Sequence, residues 1–76
     1  LLTVRGIDAS FALVSIGNSV NISARSGDAI NVQIIMEKLG GGGHITVAGA
    51  QLEGMTLEDA KQELIIRINE YFSEIM

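Results

Sequence analysis

The stretch VQIIMEKLGGGGHIT, residues 32–46, decides the fold. Its first half has a helical pattern: Val32, Ile35, Met36 and Leu39 recur at the spacing that lines one face of a helix. Gly40 stands where a helix takes its left-handed C-terminal residue, a conformation glycine adopts without penalty. Gly41, Gly42 and Gly43 follow, then His44, the sole histidine. One glycine satisfies the helix stop, and three need another reason. As a connector, the run has ordinary length. As a site, successive amides without side chains can close around an anion or let a nucleotide lie against the backbone. The residues alone leave both readings open. The run is not a Walker loop, because no Gly-Lys-Ser/Thr follows and it ends a helix instead of opening one.

Downstream, HITVAGAQL (residues 44–52) reads as a strand whose small residues Ala48, Gly49 and Ala50 permit close approach. Glu53 and Gly54 make a turn. Thr56, with Asp59 three positions on, opens a last helix expected to run to about Glu74. Leu57, Ala60, Leu64, Ile68, Tyr71 and Ile75 form its inner stripe, with Ile65 and Phe72 beside it. Glu63 and Arg67 lie one turn apart and are expected to pair on the outer face. Upstream, ASFALVSI (Ala9–Ile16) has strand length and is nearly all apolar. GNS (residues 17–19) is turn chemistry. VNISARS (residues 20–26) alternates, with Val20, Ile22 and Ala24 on one side and Asn21, Ser23 and Arg25 on the other. These two strands should form an antiparallel hairpin. Gly27 and Asp28 break the second strand, and Asp28 or Asn31 caps the following helix. LLTVRGID (residues 1–8) reads as the tail of an upstream helix, stopped by Gly6.

The order is therefore β-β-α-β-α, an α+β (α/β) fold. A helix joins the second and third strands, so they are expected to be parallel through a right-handed crossover. The result is a small mixed sheet with both helices on one face. The other face, or an edge, is left for the rest of a larger protein or a second copy.

Composition narrows the function. The chain has 76 residues, enough for one domain, and 47% of them are hydrophobic. There is no cysteine, hence no disulfide and no thiolate metal site. No apolar run approaches ~20 residues, so direct membrane contact is not expected. Five Lys and Arg face nine Asp and Glu, for a net charge of −4. That argues against a broad grip on a phosphate backbone. A small anionic ligand, held by one or two cations and backbone amides, is compatible. The chain begins with Leu1, which suggests a fragment of something larger.

Few residues carry chemistry. His44 is either a hydrogen-bonded strand residue or a contact to a phosphate or base; with no second His or Cys it is not a metal site. Arg25 is either a solvated strand residue or part of a ligand site at the strand end, where α/β sheets bind. Under parallel pairing the end of the second strand lies away from the start of the third. Arg25 and His44 would then meet only if the glycine loop folds back. No nucleophile–base pair can be assembled.

Together, ISARS (residues 22–26), INVQIIMEKLGGGGH (residues 30–44) and Ala48-x-Ala50-Gln51-Leu52 resemble the DHHA1 domain of the DHH phosphoesterase superfamily. The version here is similar to that of the GGDEF-containing cyclic-di-AMP phosphodiesterases of Gram-positive bacteria. The resemblance covers essentially the whole chain. It implies an upstream DHH domain in cis that binds two manganese ions and activates water. The DHHA1 domain would cover the cleft and hold a cyclic or linear dinucleotide. By position, Arg25 and Ser26 would lie in the substrate-binding strand, and Gly41, Gly42, Gly43 and His44 in the loop against the nucleotide. The chain itself would carry no metal ion and be inactive alone, and the parent protein would be anchored at the cell membrane with this domain on the cytoplasmic side. One departure from that group is Val47 after Thr46, where a polar Asn is expected. Two rival readings are a RecJ-like exonuclease or oligoribonuclease subdomain acting on short nucleic acids, and a non-catalytic homodimerisation module.

Overall fold

The computed structural model describes residues 2–3, 9–27 and 30–75. Its elements are β1 (Leu2–Thr3), β2 (Ala9–Ile16), β3 (Ser19–Ser26), α1 (Val32–Lys38), β4 (Gly42–Gly43), β5 (Val47–Glu53) and α2 (Leu57–Ile75). The five strands form one sheet in the order β1-β2-β3-β5-β4. The expected β-β-α-β-α order and α+β class hold, with two two-residue strands added at the edges.

Strand alternation builds the sheet. Phe11, Val20, Ile22 and Ala24 point to one face and are buried; Ser23 and Arg25 point to the other and are exposed. Both helices cover the apolar face, as expected, and the core gathers Phe11, Ile22, Ile35, Met36 and Leu64. The hairpin register pairs Ser10 with Arg25 and Ala12 with Ser23. Gly17, in the turn, has φ +58, which favours glycine.

Three expectations are corrected. First, β3 and β5 are antiparallel, with Arg25 opposite Val47 and Ser19 opposite Glu53. Every pairing in the sheet is antiparallel. The reason lies in the glycine run. After α1 the chain first forms β4 at the far edge, then reverses into β5. The strand that runs parallel to β3 across the helix is therefore β4, and β5 is inserted between them. Second, Leu2 and Thr3 are not in a helix but pair with Phe11 and Ser10. Third, Leu57 and Ile75 are 47% and 55% exposed. A 19-residue helix is ~28 Å long and overhangs the core at both ends. Gly6 and Asp28 lie outside the described residues.

The caps follow the sequence. Asn31 Oδ1 accepts the Ile34 N–H at 3.3 Å, and Thr56 Oγ1 accepts the Asp59 N–H at 3.1 Å. At the end of α1 the Gly41 N–H donates to Met36 O (2.8 Å) and the Gly40 N–H to Glu37 O (3.1 Å). This is a Schellman closure, with Gly40 at φ +84. On the outside of α2, Arg67 meets Glu63 as expected, at 2.5 Å, and also Glu70 at 2.9 Å. The bond to Glu70 first, then that to Glu63, raises the Arg67 guanidinium above its ordinary value.

Leu64 is fully buried between α2 and the sheet. Leu64→Ala should cost about 2–5 kcal/mol in chemical denaturation, against under about 0.5 kcal/mol for Leu57→Ala at the overhanging helix end.

Candidate functional site

The antiparallel β3–β5 pair brings together what the parallel reading kept apart. The end of β3 and the start of β5 lie side by side: Arg25 is opposite Val47, and the Ser26 N–H donates to Thr46 O at 2.9 Å. His44 sits just before this junction, and its own N–H closes the β4–β5 turn onto Val47 O at 2.7 Å. The His44 side chain is exposed. Arg25 and the glycine–histidine loop thus share one end of the sheet.

Arg25 and Ser26 do not act on the same side. Arg25 is exposed on the outer face, flanked by Ser10 and Val47 in its row. Ser26 turns the other way, and its hydroxyl donates to Ile30 O at 2.7 Å. That hydroxyl is also 3.4 Å from Ile45 O. Ser26 therefore braces the loop, with both its N–H and O–H engaged by the chain. Among the described residues Arg25 has no ion-pair partner.

The four glycines divide by cause. Gly40 supplies the left-handed helix stop. A Cβ on Gly41 would come within 2.1 Å of Gly49 O, and one on Gly43 within 2.6 Å of Ala48 Cα. Gly43 also has φ +143. Those two positions need glycine so that β4 can press against β5. Gly42 has neither reason, because a Cβ there would meet nothing within 4 Å. The amide-cradle reading is narrowed as well: the N–H groups of Gly40, Gly41 and His44 are engaged within the chain.

On the outer face, register places Ala12, Ser23, Gly49 and Gly42 in one row across four strands. The row is a shelf of small residues beside Arg25. A notch of about 150 Å³ opens on it, lined by Ser10, Ala12, Ser23 and Arg25. Enclosing sites for small molecules run to about 300–1,000 Å³, so the notch by itself is too small to enclose one.

The model of the DHHA1 domain family matches residues 1–74. The chain belongs to that family. Among similar proteins, the cyclic-di-AMP phosphodiesterase GdpP of Geobacillus thermodenitrificans is 52% identical over 73 residues, 95% of this chain and 11% of that protein. The cyclic-di-AMP phosphodiesterase PdeA of Listeria monocytogenes is 45% identical over 73 residues, again 95% of this chain and 11% of that protein. The DHHA1 chain thus spans about a tenth of the length of these relatives. A solved structure, the pGpG-specific phosphodiesterase PggH of Vibrio cholerae, shares the fold at TM-score 0.63 and 20% identity, covering 84% of this chain and 24% of that one.

Sequence reasoning missed Ser10 as a neighbour of Arg25, and the hydroxyl of Tyr71. Strand parity carries the first signal: Ser10 and Ala12 alternate with Ala9 and Phe11. Tyr71 was absorbed into the apolar stripe of α2, yet a buried phenol calls for a polar partner.

The division among the glycines is testable by stability alone. Gly41→Ala and Gly43→Ala should each destabilise the DHHA1 domain by about 1–3 kcal/mol in urea titrations. Gly42→Ala should be neutral, or stabilising by up to about 1 kcal/mol, because alanine narrows the unfolded ensemble.

Proposed function

We propose that this DHHA1 domain is the substrate-binding part of a manganese-dependent phosphodiesterase that hydrolyses cyclic-di-AMP to linear diadenylate. The observation that carries the reading is the placement of Arg25 and the Gly41–His44 segment on either side of Val47, at one end of an open, small-residue shelf. The names of the 52% and 45% identical relatives supply the substrate class. The acidic balance of the chain, nine carboxylates against five cations, favours a short dinucleotide over a long strand.

In this reading Arg25 holds a phosphate of the dinucleotide through charge-assisted hydrogen bonds from its planar guanidinium. Ser10 and Ser23 offer hydroxyls next to it. A base lies flat on the Ala12–Ser23–Gly49–Gly42 row, where any larger side chain would lift it. His44 closes the end of the shelf. Ser26 acts from behind, keeping the loop in register with the end of β3. Hydrolysis adds water to one phosphorus and breaks one of its ester bonds, opening the ring. Holding that phosphate in line and keeping stray water off the shelf are the contributions of this domain.

In this reading the manganese ions sit elsewhere in the parent protein. Among the described residues no three His, Cys, Asp or Glu side chains come together. An upstream DHH domain in cis supplies that chemistry and the second wall of the site. A membrane-anchored parent with this domain on the cytoplasmic side belongs to the same reading; among the described residues no helix is long and apolar enough to cross a membrane.

The test uses the full-length protein with manganese. Arg25→Ala should lower kcat/KM for cyclic-di-AMP by about tenfold or more, the loss expected for one charge-assisted contact. Gly42→Ala, with its fold intact, should raise KM by a similar factor. Equal rates for both variants and the parent would remove the site assignment. Preferential cleavage of oligonucleotides over cyclic-di-AMP would move the enzyme to the oligoribonuclease class.

A further inference from the structure

We propose that Tyr71 is a positioning residue for the glycine–histidine loop, acting through the peptide between Ile30 and Asn31 and through Ser26. Only the activity arm of its test rests on the substrate reading above.

Tyr71 lies in α2, its ring 5% exposed and edge-on to Phe72. Its hydroxyl accepts the Asn31 N–H at 3.0 Å, across 40 residues of chain. The carbonyl of the same peptide unit, on Ile30, accepts the Ser26 hydroxyl at 2.7 Å. One peptide plane is thus gripped at both ends by hydroxyl groups, from α2 on one side and β3 on the other. A peptide whose N–H donates is polarised into a better acceptor at its carbonyl, so the two bonds reinforce each other.

From that plane the grip passes to the loop. The Ser26 N–H donates to Thr46 O at 2.9 Å, and the Val32 N–H to Ile45 O at 3.0 Å. The Ser26 hydroxyl also lies 3.4 Å from Ile45 O. The β3–α1 corner therefore stitches down the two residues that follow His44. Without Tyr71 the corner has no tie to α2 at that point. A second polar tie to α2 among the described residues, Lys38 to Glu74 at 2.8 Å, has side chains 21% and 58% exposed. An exposed pair of that kind fixes little. The buried phenol is the stronger anchor, and the peptide that it holds is the one bonded to Ser26, the residue after Arg25.

The experiment compares Tyr71→Phe, Ser26→Ala and the double variant in the full-length protein. Amide hydrogen exchange is read by mass spectrometry over residues 26–32 and 44–47, with residues 13–22 of the hairpin as internal control. Tyr71→Phe keeps the ring and leaves the Asn31 N–H unpaired. Exchange over 44–47 should quicken by about threefold or more, with the control unchanged. KM for cyclic-di-AMP should rise by about three- to tenfold with kcat within about twofold, and the double variant should be no worse than the worse single one. Unchanged exchange over 44–47, quickening spread equally into 13–22, or additive effects of the two substitutions would each overturn the proposal. Quickened exchange over 44–47 with KM unchanged would uphold the positioning and instead remove the loop from substrate binding.

Discussion

The backbone of the glycine run lies against β5 more closely than any side chain would allow. That contact is the constraint on which the arrangement depends. Gly41 and Gly43 bring the chain within a Cβ's reach of Gly49 and Ala48, and this makes β4 an edge strand. Once β4 exists, the chain must reverse to reach β3, and β5 arrives antiparallel. The reversal puts the loop beside Arg25. A side chain at 41 or 43 would therefore push away the strand that creates the site.

The two faces of the sheet carry different duties. The inner face is apolar and complete, covered by α1 and α2 around Phe11, Ile22 and Leu64. The outer face mixes small and polar groups with the exposed apolar Val14, Ile16 and Val47, and Arg25 is its cation. A sheet with one solvated face normally alternates polar side chains along it. Here the outer row through Ala12, Ser23, Gly49 and Gly42 is small, which favours close approach by something flat. At the β3–α1 corner Ser26 points inward to its hydrogen bonds while Arg25 points out. Adjacent residues thus divide support from contact.

Much of the fold was legible because it rests on periodicity and caps. Val32, Ile35 and Met36 announce α1, the alternation through residues 20–26 announces β3, and Thr56 with Asp59 marks the start of α2. The strand direction was hidden because β4 consists of two glycines, residues with no side-chain pattern and low strand preference. Without β4, a helix between two strands implies a parallel pair. Leu2 and Thr3 were hidden for a similar reason, since two residues have no period. At the site, residue type pointed to Arg25 and the loop, but the inward turn of Ser26 follows only from carrying the alternation one position further. Tyr71 fits the helical stripe so well that its hydroxyl drew no attention.

Both outer strands of the sheet are two residues long, but the consequences differ at the two edges. On the β4 side the edge is glycine, twisted and short, a poor template for another chain. On the other side, among the described residues, β1 pairs with Ser10 and Phe11 of β2. Among the described residues, 12–16 of β2 have no strand partner on that side, and Val14 and Ile16 are 54% and 56% exposed. A flat apolar edge of this kind invites pairing with a neighbour's strand. Detached from its parent, the chain is thus asymmetric in colloidal terms, with one self-limiting edge and one adhesive edge. Charge placed at position 14 or 16, on the outer face but at the opposite end of β2 from Ser10 and its partner Arg25, would keep the isolated domain monomeric.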